Sequence, residues 1–163
     1  KTLYEVVKHS VEKFSQRIAF TMIDTEDVTY KEVGERIEKV QNMLLNAGVG
    51  AGDKVAILSS SMPNWGVSYF AVTTAGMIAV PILPDFTSDE LDLILEHSEA
   101  KAILVSDKLY TKLSKKITER PFPYINSIML KKSLDVRTNN LGFMALSTTP
   151  WLSSTIASTN SCV

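Results

Sequence analysis

Three short segments carry the groups best suited to chemistry: Ser59–Asn64 (SSSMPN), Pro84–Ser88 (PDFTS) and Ser106–Asp107. Each follows an apolar run of strand length and precedes a run with helical spacing. Helix starts placed after strands can hold anions, because their first amides are unpaired and the helix dipole favours negative charge there. SSSMPN offers hydroxyls and a helix start and so could hold an anion, but its serines are expected merely to cap the helix that Pro63 opens. Close approach to a triphosphate needs a glycine-rich turn, and the chain has neither GxGxxG nor GxxxxGK[ST].

Other reactive residues are isolated. His9 and His97 each lie in a helical stretch with no second His or Cys nearby in sequence. Asp89, Glu90 and Asp92 are close enough to suggest a metal, but acids at a helix start need no metal to explain them. Cys162 has no neighbouring base and is no convincing nucleophile. Lys115, Lys116, Lys131 and Lys132 read as solvated faces, and Trp65, Tyr69 and Phe70 as core rather than a stacking platform. No catalytic, cofactor-binding or metal residue is assigned from these patterns.

The totals set the frame for these segments. The chain has 163 residues, enough for one ordinary core, with 45% hydrophobic and 21% charged residues. A net charge of -1 gives no support for nucleic-acid or anionic-membrane binding. No apolar run reaches the length of about 18 residues expected of a membrane span. The opening KTLYEVVKHSVEKF is charged and periodic, unlike a secretory signal. One cysteine fits a reducing compartment, so the cytoplasm is expected.

The periodicities predict the following elements. Thr2 to Phe14 reads as an amphipathic helix, Ile18 to Ile23 as a strand and Asp24 to Asp27 as a turn. Thr29 and Glu32 form a capping box for a helix whose inner face is Val33, Ile37, Val40 and Leu44, with Gly48 at its end. Val55–Leu58 is a buried strand, and Asn64 to Met77 a helix apolar nearly all round. Ile78 to Leu83 is a strand that Pro81 pushes to an edge or bulge. Thr87 and Glu90 cap a helix with Leu91, Ile94, Leu95 and Ser98 facing inward. Ala102–Val105 is a strand, and Ser106 or Asp107 caps one helix with Leu109, Leu113 and Ile117 on its inner face, ended by Pro121 and Pro123. Ile125 to Leu130 is the next strand.

Strands alternating with helices predict an α/β fold: three layers around a mostly parallel, doubly wound sheet. The expected core is Val55, Ile57, Trp65, Phe70, Val80, Ile82, Leu91, Ile94, Ile103 and Val105. A buried Trp65 would make Trp65→Ala cost about 3–5 kcal/mol.

The folded unit is expected over 1–137, with 138–163 as a tail. No charged residue follows Arg137, and Ser and Thr dominate from Ser147 onward. Three readings of the tail stand side by side: a flexible uncharged end, a cloning-derived end, and an out-of-frame translation of the last dozen or so residues.

Several blocks resemble the adenylate-forming (AMP-binding) synthetases. VTYKEV (28–33) is similar to that family's Leu-Thr-Tyr-x-Glu-Leu block. GVGAGDKVAILSSSMPNW (48–65) resembles its Gly-x-x-x-Gly-Asp-Arg-Val strand entry and Pro-Glu-Trp. TTAGMIAVPILPD (73–85) resembles its Lys-Ala-Gly-x-x-x-Val-Pro block, and SDELDLILEHSEAKAILVSD (88–107) its next helix and strand. The resemblance covers about Thr2 to Asp107. ILPDFTSDEL and HSEAKAI look closest to bacterial long-chain fatty acid–CoA ligases. Asn64 and Thr74 depart from the family's Glu and Lys.

The resemblance implies the N-terminal subdomain of the acyl-CoA synthetase fold, truncated. It implies a parent that activates a fatty acid with ATP and Mg2+, forms an acyl adenylate and passes the acyl group to CoA. The family's phosphate loop is glycine- and lysine-bearing, whereas LSTTP (146–150) lacks both. The catalytic lysine would lie beyond Val163. The fragment is therefore expected to be inactive alone. A standalone nucleotide- or acyl-binding module is the alternative, as is a non-catalytic interaction domain whose apolar face would drive homodimerisation.

Overall fold

The computed structural model describes residues 1–23, 27–118 and 126–130, the last five by their backbone. The tail 138–163, most of the Asp24–Asp27 turn, and Pro121 and Pro123 lie outside the described residues.

Helix α1 (Leu3–Lys13) starts at Thr2, which with Glu5 makes a capping box not anticipated from sequence. A ribbon of two short antiparallel strands follows, β1 (Ile18–Phe20) and β2 (Val28–Thr29). The strand expected over Ile18 to Ile23 is thus shorter, and its partner comes from the residues just before the Thr29 cap.

The expected capping box at Thr29 and Glu32 is present at the start of α2 (Tyr30–Asn46). Val33, Ile37, Val40 and Leu44 are buried on its inner face. Gly48, at φ 79°, ends the helix: its N–H reaches Leu45 O and that of Val49 reaches Leu44 O. Two such bonds close the last orphan carbonyls at the positive-φ turn that glycine adopts without strain.

The body is a four-stranded parallel sheet in the order β4-β3-β5-β6, comprising β3 (Lys54–Leu58), β4 (Ile78–Ile82), β5 (Ala102–Ser106) and β6 (Asn126–Leu130). Pro81 lies on β4, an outer strand, where a missing N–H costs no ladder bond. The pleat divides the all-apolar strands between two cores. Val55, Ile57, Ala102 and Leu104 join one with α2 and α3 (Pro63–Thr74). Ala56, Leu58, Ile103 and Val105 join the other with α4 (Ser88–Ser98). This is the expected three-layer arrangement.

Four expectations need correction. Helix α3 stops at Thr74, not Met77, because Gly76 at φ 75° closes it in the same way that Gly48 closes α2. The deepest apolar contacts of α3 are Val67, Ala71 and Val72, whereas Trp65 and Phe70 are only half-buried against the same core. Val80 and Ile94 are also half-buried; Val80 is on an outer strand, and Ile94 packs beside Leu91 and Leu95. The single helix expected after Ser106 is two short ones, α5 (Asp107–Tyr110) and α6 (Lys115–Thr118). Ser114 sits between them, its Oγ accepting the Ile117 N–H at 3.3 Å, so it starts α6 as a new helix. Leu109, Leu113 and Ile117 nevertheless face the core as expected.

Candidate functional site

The strand order fixes where a ligand would sit. From β3 the chain passes through α3 to β4 on one side of β3, while β5 and then β6 lie on its other side. The connection after β3 packs on one face of the sheet and the connection after β5 on the other. Such a reversal opens a crevice beyond the carboxyl ends of the two central strands, where open α/β sheets bind ligands. Ser59 and Ser106 stand at those ends and are buried polar residues, 4% and 7% exposed. The three segments singled out by sequence therefore share one edge, because parallel strands all end on the same side.

The serines do not play the capping part expected of them. The N-cap of α3 is Met62, with no side-chain bond to the first turn. Ser59 Oγ donates instead to Ser60 O at 3.1 Å, and Ser106 makes no cap bond to α5. Pro63 at the first helical position removes one orphan N–H, as expected. Asn64 is buried and accepts from Arg36 Nη1 at 3.4 Å, while its carbonyl accepts from Ser68 Oγ at 2.6 Å. Arg36 Nε is buried with no acceptor among the described residues. A guanidinium and a helix N-terminus together make this corner of the edge favourable to negative charge. Arg36 gave no signal in the sequence, since it lies between the inward positions of α2 and touches α3 only through the fold.

At the neighbouring loop, Lys112 Nζ donates to Pro84 O at 2.5 Å and to Phe86 O at 3.4 Å. Sequence reasoning passed over Lys112 as well, because its partners are carbonyls, which are the same for every residue type.

The remaining candidates take structural roles. Thr87 and Glu90 form the expected capping box; the Thr87 N–H, reinforced by its hydroxyl, holds the Glu90 carboxyl below its ordinary value. Asp92 accepts from Ser114 at 2.7 Å, and Asp89 is exposed in the first turn. His97 is exposed in the last turn of α4. His9 lies on α1, beside a cavity bordered by Lys1, Glu5, Val6 and Ser10. Among the described residues, no group of three or more His, Cys, Asp or Glu could hold a metal ion. No described helix is long and apolar enough to cross a membrane.

The strand order defines an open, doubly wound α/β domain with its topological switch point between β3 and β5. Comparison with known proteins specifies which kind. The model of the AMP-binding enzyme family matches residues 7–151. This chain belongs to the AMP-binding enzyme family. Long chain acyl-CoA synthetase 4 of Arabidopsis thaliana is 31% identical over 87 residues, covering 53% of this chain and 13% of that protein. Probable CoA ligase CCL9 of Humulus lupulus is 28% identical over 107 residues, covering 66% of this chain and 20% of the relative. Tyrocidine synthase 3 of Brevibacillus parabrevis is 27% identical over 121 residues, 74% of this chain but only 2% of that protein.

The chain thus spans a fifth or less of these relatives. In three dimensions it superposes on the anthranilate CoA ligase AuaEII in complex with anthranoyl-AMP. The TM-score is 0.68 at 22% identity, over 77% of this chain and 24% of that one. The N-terminal subdomain of Klebsiella oxytoca NpsA superposes with a TM-score of 0.62 at 21% identity, over 70% of this chain and 29% of that one. At these identities the likeness concerns the fold. It supports the expected subdomain, whereas the relatives include a plant long-chain acyl-CoA synthetase, a probable CoA ligase and a tyrocidine synthase and do not single out bacterial long-chain ligases.

Proposed function

We propose that this chain is the N-terminal scaffold of a ligase that activates a long-chain fatty acid with ATP and Mg2+ through an acyl adenylate and transfers the acyl group to CoA. The observation that carries the reading is the family match over 7–151, joined to 31% identity with a long-chain acyl-CoA synthetase over 87 residues. The chemistry agrees with it. Adenylation needs a cradle for a triphosphate and cations to offset its charge. The described residues contribute a switch-point edge, the buried hydroxyls of Ser59 and Ser106 and the Arg36 guanidinium beside the start of α3, but no glycine-rich phosphate loop. The rest of the machinery belongs to the remainder of the parent, so this chain alone does not adenylate.

The test is pyrophosphate exchange with fatty acid, ATP and Mg2+. The chain alone should give no exchange above background, and the parent carrying it should exchange fastest with long-chain acids. Exchange by the chain alone would overturn the scaffold role. A parent that prefers amino acids or aryl acids would overturn the fatty-acid assignment and leave the scaffold role standing.

A further inference from the structure

The segment between β5 and β6 carries polar side chains at alternate positions, Lys112, Ser114 and Lys116, and all three reach toward α4 or the loop before it. Lys116 Nζ lies 3.3 Å from Glu96, an exposed pair of little weight. Ser114 Oγ meets the Asp92 carboxylate at 2.7 Å. Lys112 differs in kind, because its half-buried ammonium is spent on two backbone carbonyls, those of Pro84 and Phe86. A charged donor on neutral acceptors makes a stronger bond than a neutral one.

The loop Leu83–Thr87 has little else to fix its middle. Its flanks are held, by buried Ile82 on one side and the Thr87 capping box on the other. Between them Pro84 has no N–H, Leu83 is 64% exposed, and the Phe86 N–H to Leu83 O bond is long at 3.4 Å. The Phe86 side chain packs on the second core, but a side-chain contact does not orient carbonyls.

We propose that Lys112 is a positioning residue that latches the β4–α4 loop at the ligand edge of the sheet. Its ammonium gathers the Pro84 and Phe86 carbonyls and so joins the connections that leave the two strands flanking β3. The break between α5 and α6 belongs to the same device, since Lys112 and Ser114 both make their contacts from it. The loop's conformation and the placement of 107–118 are therefore coupled, whatever the parent's substrate.

Hydrogen exchange on this chain tests the latch. In Lys112→Met, peptides spanning Asp85 to Thr87 should exchange about tenfold faster, while those over Lys54–Leu58 and Pro63–Thr74 stay within about twofold of wild type. Lys112→Arg, which keeps a charged donor, should restore much of the protection. Loop exchange unchanged in Lys112→Met, or a rise spread evenly through the sheet, would overturn the proposal. Should Lys112→Met fail to fold, trace acetylation of the wild-type chain decides: Lys112 should react about fivefold or more slower than exposed Lys108, because its ammonium is engaged. Equal rates would overturn it.

Discussion

Where strands β3, β4 and β5 begin, backbone bonds tie the turns to one another. The Gly52 N–H bonds Gly76 O, the Ile78 N–H bonds Asp53 O and the Lys101 N–H bonds Lys54 O, each at 2.8 Å. Asp53 adds a second layer, accepting the Gly50 N–H at 2.9 Å and Lys101 Nζ at 2.6 Å. Where the same strands end, the materials change. Helix α3 starts without a side-chain cap, Ser59 and Ser106 are buried hydroxyls, and one lysine latches the loop after β4. The starting edge thus secures the register of the sheet, and the finishing edge holds buried hydroxyls with fewer such backbone ties. Binding elements are drawn from the less secured end of a structure for this reason: they must keep groups available that stability alone would pair.

The sheet interior belongs to both edges, so the largest effect should come from there. Leu104 is fully buried on β5, between β3 and β6. Leu104→Ala should cost about 2–5 kcal/mol, measured by urea unfolding, through lost transfer energy and the cavity left behind. A cost under about 1 kcal/mol would mean that the interior around Leu104 is not close-packed.

Trp65 sharpens the contrast on the finishing side. It is half-buried and stacks on Tyr69 with centroids 5.4 Å apart and planes at 6°. Trp65→Ala should therefore cost about 1–2 kcal/mol, below the figure for a buried ring. Urea unfolding again gives the value, and a cost near 4 kcal/mol would show that the ring is covered and that this side is as closed as the other.

These two residues also show how far the sequence could be read. Leu104 sits in AILVS, a run apolar on both faces, and such a run has little alternative to a central parallel strand. Capping boxes at Thr29 and Thr87 were equally legible, since the Thr-x-x-Glu spacing states both partners. The half-burial of Trp65 is not legible, because α3 is apolar all round and periodicity does not say which side lies deepest. The α5–α6 break is not legible either, because Ser114 uses a local bond that competes with a helix already allowed by its neighbours. At the candidate site, the segments were legible and their gathering at one edge was not, since that depends on strand order. Arg36 and Lys112 were invisible because their partners, Asn64 and the carbonyls of Pro84 and Phe86, lie on other elements.

A smaller effect separates the loop's flank from its middle. Thr87→Ala removes the hydroxyl that accepts the Glu90 N–H and should cost about 1 kcal/mol by thermal or urea unfolding. Protection at Asp85 and Phe86 should persist, because Lys112 still holds the Pro84 and Phe86 carbonyls from the other side. Loss of protection there would merge cap and latch into one device and weaken the contrast drawn within this edge.

The smallest effect is expected at Asp53, and its sign is fixed by the contacts. The Gly50 N–H is the largest influence, followed by the bond to Lys101, and together they hold the carboxyl below its ordinary 3.8 in the folded chain. Unfolding releases it to that ordinary value, so the unfolded chain binds a proton more readily. The stabilising contribution is then fully present above pH 3.8 and fades as pH falls through the lower folded value. Asp53→Asn should lower the melting temperature modestly at pH 7, and the difference from wild type should shrink on acidification below the ordinary value. Lys101→Met should reproduce part of the loss, since the Gly50 bond survives it. A difference that stays constant down to strongly acid pH would show that the carboxylate's charge is not what ties this edge. The contrast between the two edges would then rest on the backbone bonds at Gly52, Ile78 and Lys101.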